Sequence, residues 1–204
     1  MRLESALEIV GALKSRFGEP MTVTDICRLV PLSYQPVYEY VRRLAKAEAV
    51  SFRKEGQRLL CEPAATAAGS LWLAQWSLGE LCATKHAAVR ELAGVVQGRM
   101  GEVALPPDAI VALDPVSRGR VEAYVTDAGA SGLPAAVRVH PVSTERLAEC
   151  LIGPDGSWEV ARRIIPIAGH QQLWWLALVA RERAADRSRP PHPQPIRRRS
   201  IFID

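Results

Sequence analysis

Apolar residues recur at helical spacing from the start of the chain. Leu3, Ala6, Leu7, Val10, Leu13 and Phe17 share one side of a helix over residues 2–17. Gly18 and the pair Glu19-Pro20 stop it. Thr22, with Asp25 three residues on, makes a shortened capping box. It predicts a second helix through Asp25–Leu29 that buries Val23, Ile26 and Leu29 and is broken by Pro31. Ser33 is the cap expected for a third helix. Pro36 is tolerated in its first turn, and Val37, Tyr40, Val41 and Leu44 form its apolar stripe. Two β-type segments, Val50–Arg53 and Arg58–Cys61, then flank a turn containing Gly56 and read as a hairpin.

Beyond the hairpin the pattern changes. Small residues from Pro63 to Ser70 place a domain boundary near residue 63. Leu71–Trp76 reads as helical, and a clearer helix is predicted over 79–98, with Leu81, Ala88, Val89, Leu92 and Val96 on one face. Residues 109–113, 121–125 and 136–140 read as strands. A short helix over Thr144–Leu151, capped by Ser143 or Thr144, follows. Trp158–Ile167 is open between strand and short helix, and Gln171–Ala185 reads as a helix. On that helix the neighbours Trp174 and Trp175 point about 100° apart, so they cannot share one core. The fold class is therefore α+β: an N-terminal helical domain with a hairpin over 1–62, then a smaller-sheet α+β domain for assembly or ligand sensing over 63–188. A Pro/Arg-rich tail over 189–204 carries Arg197-Arg198-Arg199.

The order helix, helix, tight turn, helix, hairpin, written in P-M-T-V-T-D-I-C-R-L-V-P-L-S-Y-Q-P-V-Y-E-Y-V-R-R-L-A-K-A-E-A-V, resembles the winged helix-turn-helix superfamily in the style of the MarR and ArsR regulators. The resemblance implies double-stranded DNA as partner, with the third helix in the major groove and the hairpin as a wing. Candidate groove-facing residues are Ser33, Tyr34, Gln35, Tyr38 and Arg42; glutamine can pair with adenine and arginine with guanine. Arg43 and Lys46, further along the helix, would meet phosphates. Arg53, Lys54 and Arg58 around the wing would meet phosphates or the minor groove. Two positions depart from the pattern. Glu48 stands where a glycine usually precedes the wing strand, so that turn is expected to be made differently. Glu39 occupies the exposed face of the third helix, where a basic residue is commoner. The alternative use of such a domain is protein contact, because a fold does not fix a function.

Composition changes this picture little. With 48% hydrophobic and 24% charged residues the chain is ordinarily globular. No apolar run reaches membrane-span length, and the amphipathic start MRLESALEIV is not a signal peptide. Cys27, Cys61, Cys82 and Cys150 form no CxxC pair, which suggests reduced thiols and a cytoplasmic protein. The net charge of +4 is too small to identify a polyanion partner by itself. Cys82 and His86, four apart, could hold a metal but lack a second pair, so helix packing is the reading adopted. Val116-Ser117-Arg118-Gly119, with Glu122 and Asp127, faintly resembles a nucleotidyltransferase pattern. The glycine before Ser117 is absent, and carboxylates five apart cannot share a strand face. The expectation is a non-enzymatic DNA-binding transcriptional regulator needing no cofactor or metal, with a homodimer as its assembly and a small molecule as effector. The alternative is a nucleotidyltransferase-like domain, active or degenerate.

Overall fold

The computed structural model describes residues 2–84, 89, 90, 93, 94, 109–116, 120–126 and 138–188. Helix α1 spans Leu3–Ser15. It is covered on more than the one stripe expected: Ile9 and Ala12 are buried along with Ala6, Val10 and Leu13, whereas Leu3 is 50% exposed and Leu7 half-buried. A second helix packs across a further side of it, at Gly11 and Lys14. Gly11 admits Trp76 so closely that a Cβ at residue 11 would lie 2.3 Å from the indole nitrogen.

Strand β1 (Met21–Thr22) leads into α2 (Val23–Cys27) through the capping box read from the sequence. The Asp25 N–H donates to Thr22 Oγ1 and the Thr22 N–H donates to Asp25 Oδ2, both at 3.1 Å. The helix ends earlier than expected, and the turn after it leaves Leu29 53% exposed while Val30 goes inside. Helix α3 (Tyr34–Lys46) follows, with Val37, Val41 and Leu44 fully buried and Tyr40 only half-buried. Ser33 holds the extended cap conformation but makes no side-chain cap bond. Proline at the third helical position has no N–H to give it, so Pro36 removes one of the two usual donors.

The turn out of α3 corrects the expectation about Glu48. It is made as glycine would make it: Glu48 adopts φ +58°, while Ala49 N–H reaches the Leu44 carbonyl and Glu48 N–H that of Ala45. A residue with a Cβ is held left-handed here at a cost of about 1–2 kcal/mol. Strands β2 (Val50–Glu55) and β3 (Arg58–Pro63) pair antiparallel around Gly56-Gln57, in register Arg53↔Leu60 and Glu55↔Arg58. β1 adds to β3, giving a sheet of order β1-β3-β2.

Helix α4 runs unbroken over Ala67–Ala83 and takes in both the Leu71–Trp76 segment and the start of the helix expected over 79–98. Thr66 caps it by accepting from the Gly69 N–H, and donates its own hydroxyl to the Glu48 carbonyl. The backbone turns extended at Thr84, so 79–98 is not one helix. Residues 89, 90, 93 and 94 are helical; Ala88, Leu92 and Val96 lie outside the described residues.

The second sheet contains β4 (Val111–Val116), β5 (Arg120–Thr126), β6 (Arg138–Val142) and β7 (Ile165–Ala168) in the order β6-β5-β4-β7. β5 and β6 are parallel; the other pairs are antiparallel. Helix α5 (Thr144–Ile152) is capped by Ser143, which accepts from Arg146 N–H. The stretch left open over Trp158–Ile167 is both things in turn: helix α6 (Glu159–Arg163), then β7. Helix α7 (His170–Ser188) is longer than its pattern suggested. The tail over 189–204 lies outside the described residues.

Packing is continuous across residue 63. Leu13, Phe17, Val41 and Leu44 share one buried cluster with Leu73, Leu147, Leu151, Trp158 and Trp174. A second cluster covers the other face of the four-stranded sheet, where Val111, Leu113, Val121, Ala123 and Val125 meet Leu81 and Val89. The adjacent tryptophans divide as helical geometry requires. Trp174 is fully buried and donates from Nε1 to Ser77 Oγ at 2.7 Å; Trp175 is 46% exposed. Beside them Lys14, 2% exposed, pairs with Glu80 at 3.4 Å, its ammonium 4.9 Å from the Trp76 ring centroid. Burial pushes the Lys14 ammonium below its usual range and the Glu80 carboxyl above its own, each opposed by the attraction of the other. Among the described residues no helix is long and apolar enough to cross a membrane.

Candidate nucleic-acid interface

With Val37, Val41 and Leu44 inward, helical geometry puts Gln35, Glu39, Arg42 and Lys46 at the centre of the opposite face of α3, with Tyr34 and Tyr38 along one flank. Gln35, Glu39, Arg42, Arg43 and Lys46 are exposed, as are Ser33 and Tyr34. Tyr34 and Tyr38, one turn apart, stack with ring centroids 6.2 Å apart and planes inclined by 7°. The Arg42 guanidinium lies 5.8 Å from the Tyr38 ring, continuing the same row. Gln35 Nε2 donates to Glu39 Oε1 at 3.2 Å in the adjacent row. Glu39, Arg42, Arg43 and Lys46 line a shallow concavity. Among the described residues, no ion pair ties Arg42, Arg43 or Lys46 to a carboxylate.

The hairpin residues divide. Arg53, Lys54 and Arg58 are all exposed. Arg58 lines a cleft of about 490 Å³ with Gln57 and Leu59, the first turn of α2, Arg28 and Tyr34, so it belongs with the start of α3. Arg53 instead lines a separate cleft with Ser51, Glu62 and Arg181, away from α3. Of the residues named from sequence, the structure thus unites Tyr34, Tyr38 and Arg42 in one row, groups Arg42 with Arg43 and Lys46, and joins Arg58 to Tyr34. Ser33 sits at the head of α3 and Lys54 near the hairpin turn. Three neighbours were absent from the sequence-based set. Arg28, 3.1 Å from Asp25, and Gln57 line the cleft. Glu39 occupies the middle of the face, and the signal for it was its spacing of four from Gln35.

The second sheet holds another polar group. Asp114 of β4, 1% exposed, accepts from both Nε and Nη2 of Arg163, the latter at 2.9 Å. Glu122 stands directly opposite Asp114 in the β4–β5 register and lies 3.5 Å from His140 Nε2. The His140 ring stacks on Tyr124 with centroids 5.5 Å apart. Burial, reinforced by the Asp114 and Glu122 carboxylates, pushes the Tyr124 phenol up to about 12. Glu122 therefore has a carboxylate partner across the strand pair rather than along its own strand, and Arg163 occupies that partner's oxygens. Ser117, Asp127 and His86 lie outside the described residues. Among the described residues no three His, Cys, Asp or Glu side chains converge as metal ligands. Burial raises the Cys61 thiol to about 12, far from nucleophilic range.

No protein-family model matches the chain, and neither the curated proteins nor the solved structures give a match.

Proposed function

We propose that this protein is a winged helix-turn-helix transcriptional regulator of the cytoplasm, which binds duplex DNA through α3 and the β2–β3 hairpin. The observation that carries this reading is the outer face of α3. It presents Arg42, Arg43 and Lys46, which form no ion pair among the described residues, beside a stacked tyrosine row, and it shares a cleft with the hairpin through Tyr34 and Arg58. An α-helix fits the major groove, cations left unpaired in water are free to replace counterions on phosphates, and arginine pairs bidentately with guanine. Arg42 is the base-reading candidate; Arg43, Lys46, Lys54 and Arg58 are phosphate-contacting ones. The part after residue 63 serves assembly or effector sensing. Leu71 and Leu78 of α4 and Trp175 of α7 are exposed apolar surface that a homodimer would cover. The engagement of Asp114 by Arg163 supports a structural rather than catalytic use of the sheet's carboxylates.

Anisotropy titration of labelled duplexes at graded salt tests the reading. Arg42→Ala is expected to weaken the preferred site by about 1–3 kcal/mol, while Lys54→Ala weakens all sequences alike and flattens the salt slope by about one. Absence of duplex binding at low salt would overturn it.

A further inference from the structure

The chemistry of Glu39 goes beyond general affinity for DNA. A carboxylate at the centre of a DNA-facing helix is repelled by every phosphate, so it weakens sequence-independent binding. Arg42, Arg43 and Lys46 line the same concavity but form no ion pair with it, and its only bonded neighbour among the described residues is Gln35. That bond fixes what the pair offers. Gln35 spends one N–H on Glu39 Oε1 and keeps the other beside its carbonyl oxygen, while the Glu39 carboxylate offers acceptors only.

Acceptors in the major groove are satisfied only by exocyclic amino groups, cytosine N4 or adenine N6. On adenine the amino group adjoins N7, an acceptor that a carboxylate beside it would repel. Cytosine presents its amino group with no acceptor on the same ring edge. One turn further, Arg42 supplies the donors that guanine O6 and N7 accept. Acceptor and donor thus stand side by side on one helix face, in the polarity of a C·G pair or step.

We propose that Glu39, positioned by Gln35, is a specificity-determining residue that selects cytosine in the major groove, at the expense of affinity for random duplex. This rests on the DNA-binding reading above, and the test separates the two. The full chain and its Glu39→Ala and Glu39→Gln variants are taken through selection from randomised duplex. Anisotropy on the selected site follows, with the cytosine changed in turn to thymine and adenine. In the unsubstituted protein, replacing that cytosine is expected to weaken binding about 10-fold, the effect of one good base contact. In both variants the preference at that position falls to about 2-fold or less while binding to random duplex tightens, the signature of a removed repulsion. Because Glu39 is exposed, the variants are expected to melt as the parent does. Unchanged preference at every position in both variants overturns the assignment of Glu39 and leaves DNA binding standing. Loss of a preference for adenine instead of cytosine overturns the assignment of the base. Absence of duplex binding by the parent chain overturns both this inference and the reading beneath it.

Discussion

Among the described residues Lys14, Arg42 and Arg181 lie over aromatic rings, and their settings differ. Arg42 sits above Tyr38 on the open face of α3, while Lys14 sits above Trp76 where α1, α4 and α7 meet. Lys14 has found a carboxylate, Glu80. Arg181, also buried, donates to the Pro63 carbonyl at 2.6 Å and approaches Glu62 at 3.6 Å. Arg42 and its neighbours Arg43 and Lys46 have no such partner among the described residues. The contrast follows from solvation. A buried charge must be paired or it destabilises the fold, whereas an exposed one costs little when left free and remains available to an external anion. Pairing, more than the number of cations, separates the face proposed to meet DNA from the part that holds the chain together.

The strongest way to probe the buried side is Trp174→Ala. It removes a fully buried ring that touches Phe17 and bonds Ser77, and a stability loss of about 3–5 kcal/mol is expected by urea denaturation. Trp175→Ala, half in water, should cost far less; equal losses would mean that the two rings are equivalent in solution. Next in size is Glu80→Ala, which leaves the Lys14 ammonium buried without its partner. A loss of about 2 kcal/mol is expected, below the range for a fully buried pair because Glu80 keeps 31% of its side chain exposed. Burial lowers the Lys14 pKa from 10.5 in the folded chain, so the unfolded state binds more protons over the interval up to that value. Stability should therefore rise with alkaline pH, and more steeply once Glu80 no longer opposes the shift. Denaturation at neutral and alkaline pH checks this, and a flat difference between parent and variant would place Lys14 in contact with water.

The smallest effect belongs to an intermediate case, a charge that is exposed but bonded locally. Hydrogen bonds from the Thr22 hydroxyl and N–H hold the Asp25 carboxyl below its usual 3.8. A depressed carboxyl stabilises the fold above its unfolded pKa and loses that contribution as pH falls through the folded value. Thr22→Val should cost about 1 kcal/mol at neutral pH. The penalty should shrink below pH 3.8, which melting curves at the two pH values would show.

Much of the N-terminal part was legible because its signals are local. The Thr22–Asp25 box, the Val37–Val41–Leu44 stripe and the Gly56 turn each involve residues a few positions apart. What could not be read depended on distant chain. Lys14 is buried because α4 crosses α1 on that side, and no apolar periodicity within residues 2–17 announces that. β4 begins two residues later than its apolar run, since its partner strands set its limits. The Asp114–Arg163 pair joins residues far apart in sequence. Two misreadings were local and avoidable. Pro36 at the third position of α3 already denied Ser33 one of its capping donors, and a non-glycine residue can hold the left-handed turn that Glu48 adopts. For the candidate interface, the sequence supplied the residue types, and their grouping came from the hairpin's placement, which sends Arg58 toward Tyr34 and Arg53 toward Arg181.

Phe17 and its turn carry a last consequence. The ring lies against Trp158 at 5.5 Å and Trp174 at 5.9 Å, Trp158 crowds Gly18, and Arg162 donates to the Phe17 carbonyl and to Glu19. A DNA-reading module joined to its body by a plain linker can be exchanged between lineages like a cassette. Here the first 62 residues and those after 140 would have to be inherited together, because a foreign partner on either side would meet an indole with no glycine beneath it and a guanidinium with nothing to hold. If the chain reads DNA as proposed, changes of preference are then expected to arise by point substitution on the exposed outer face of α3.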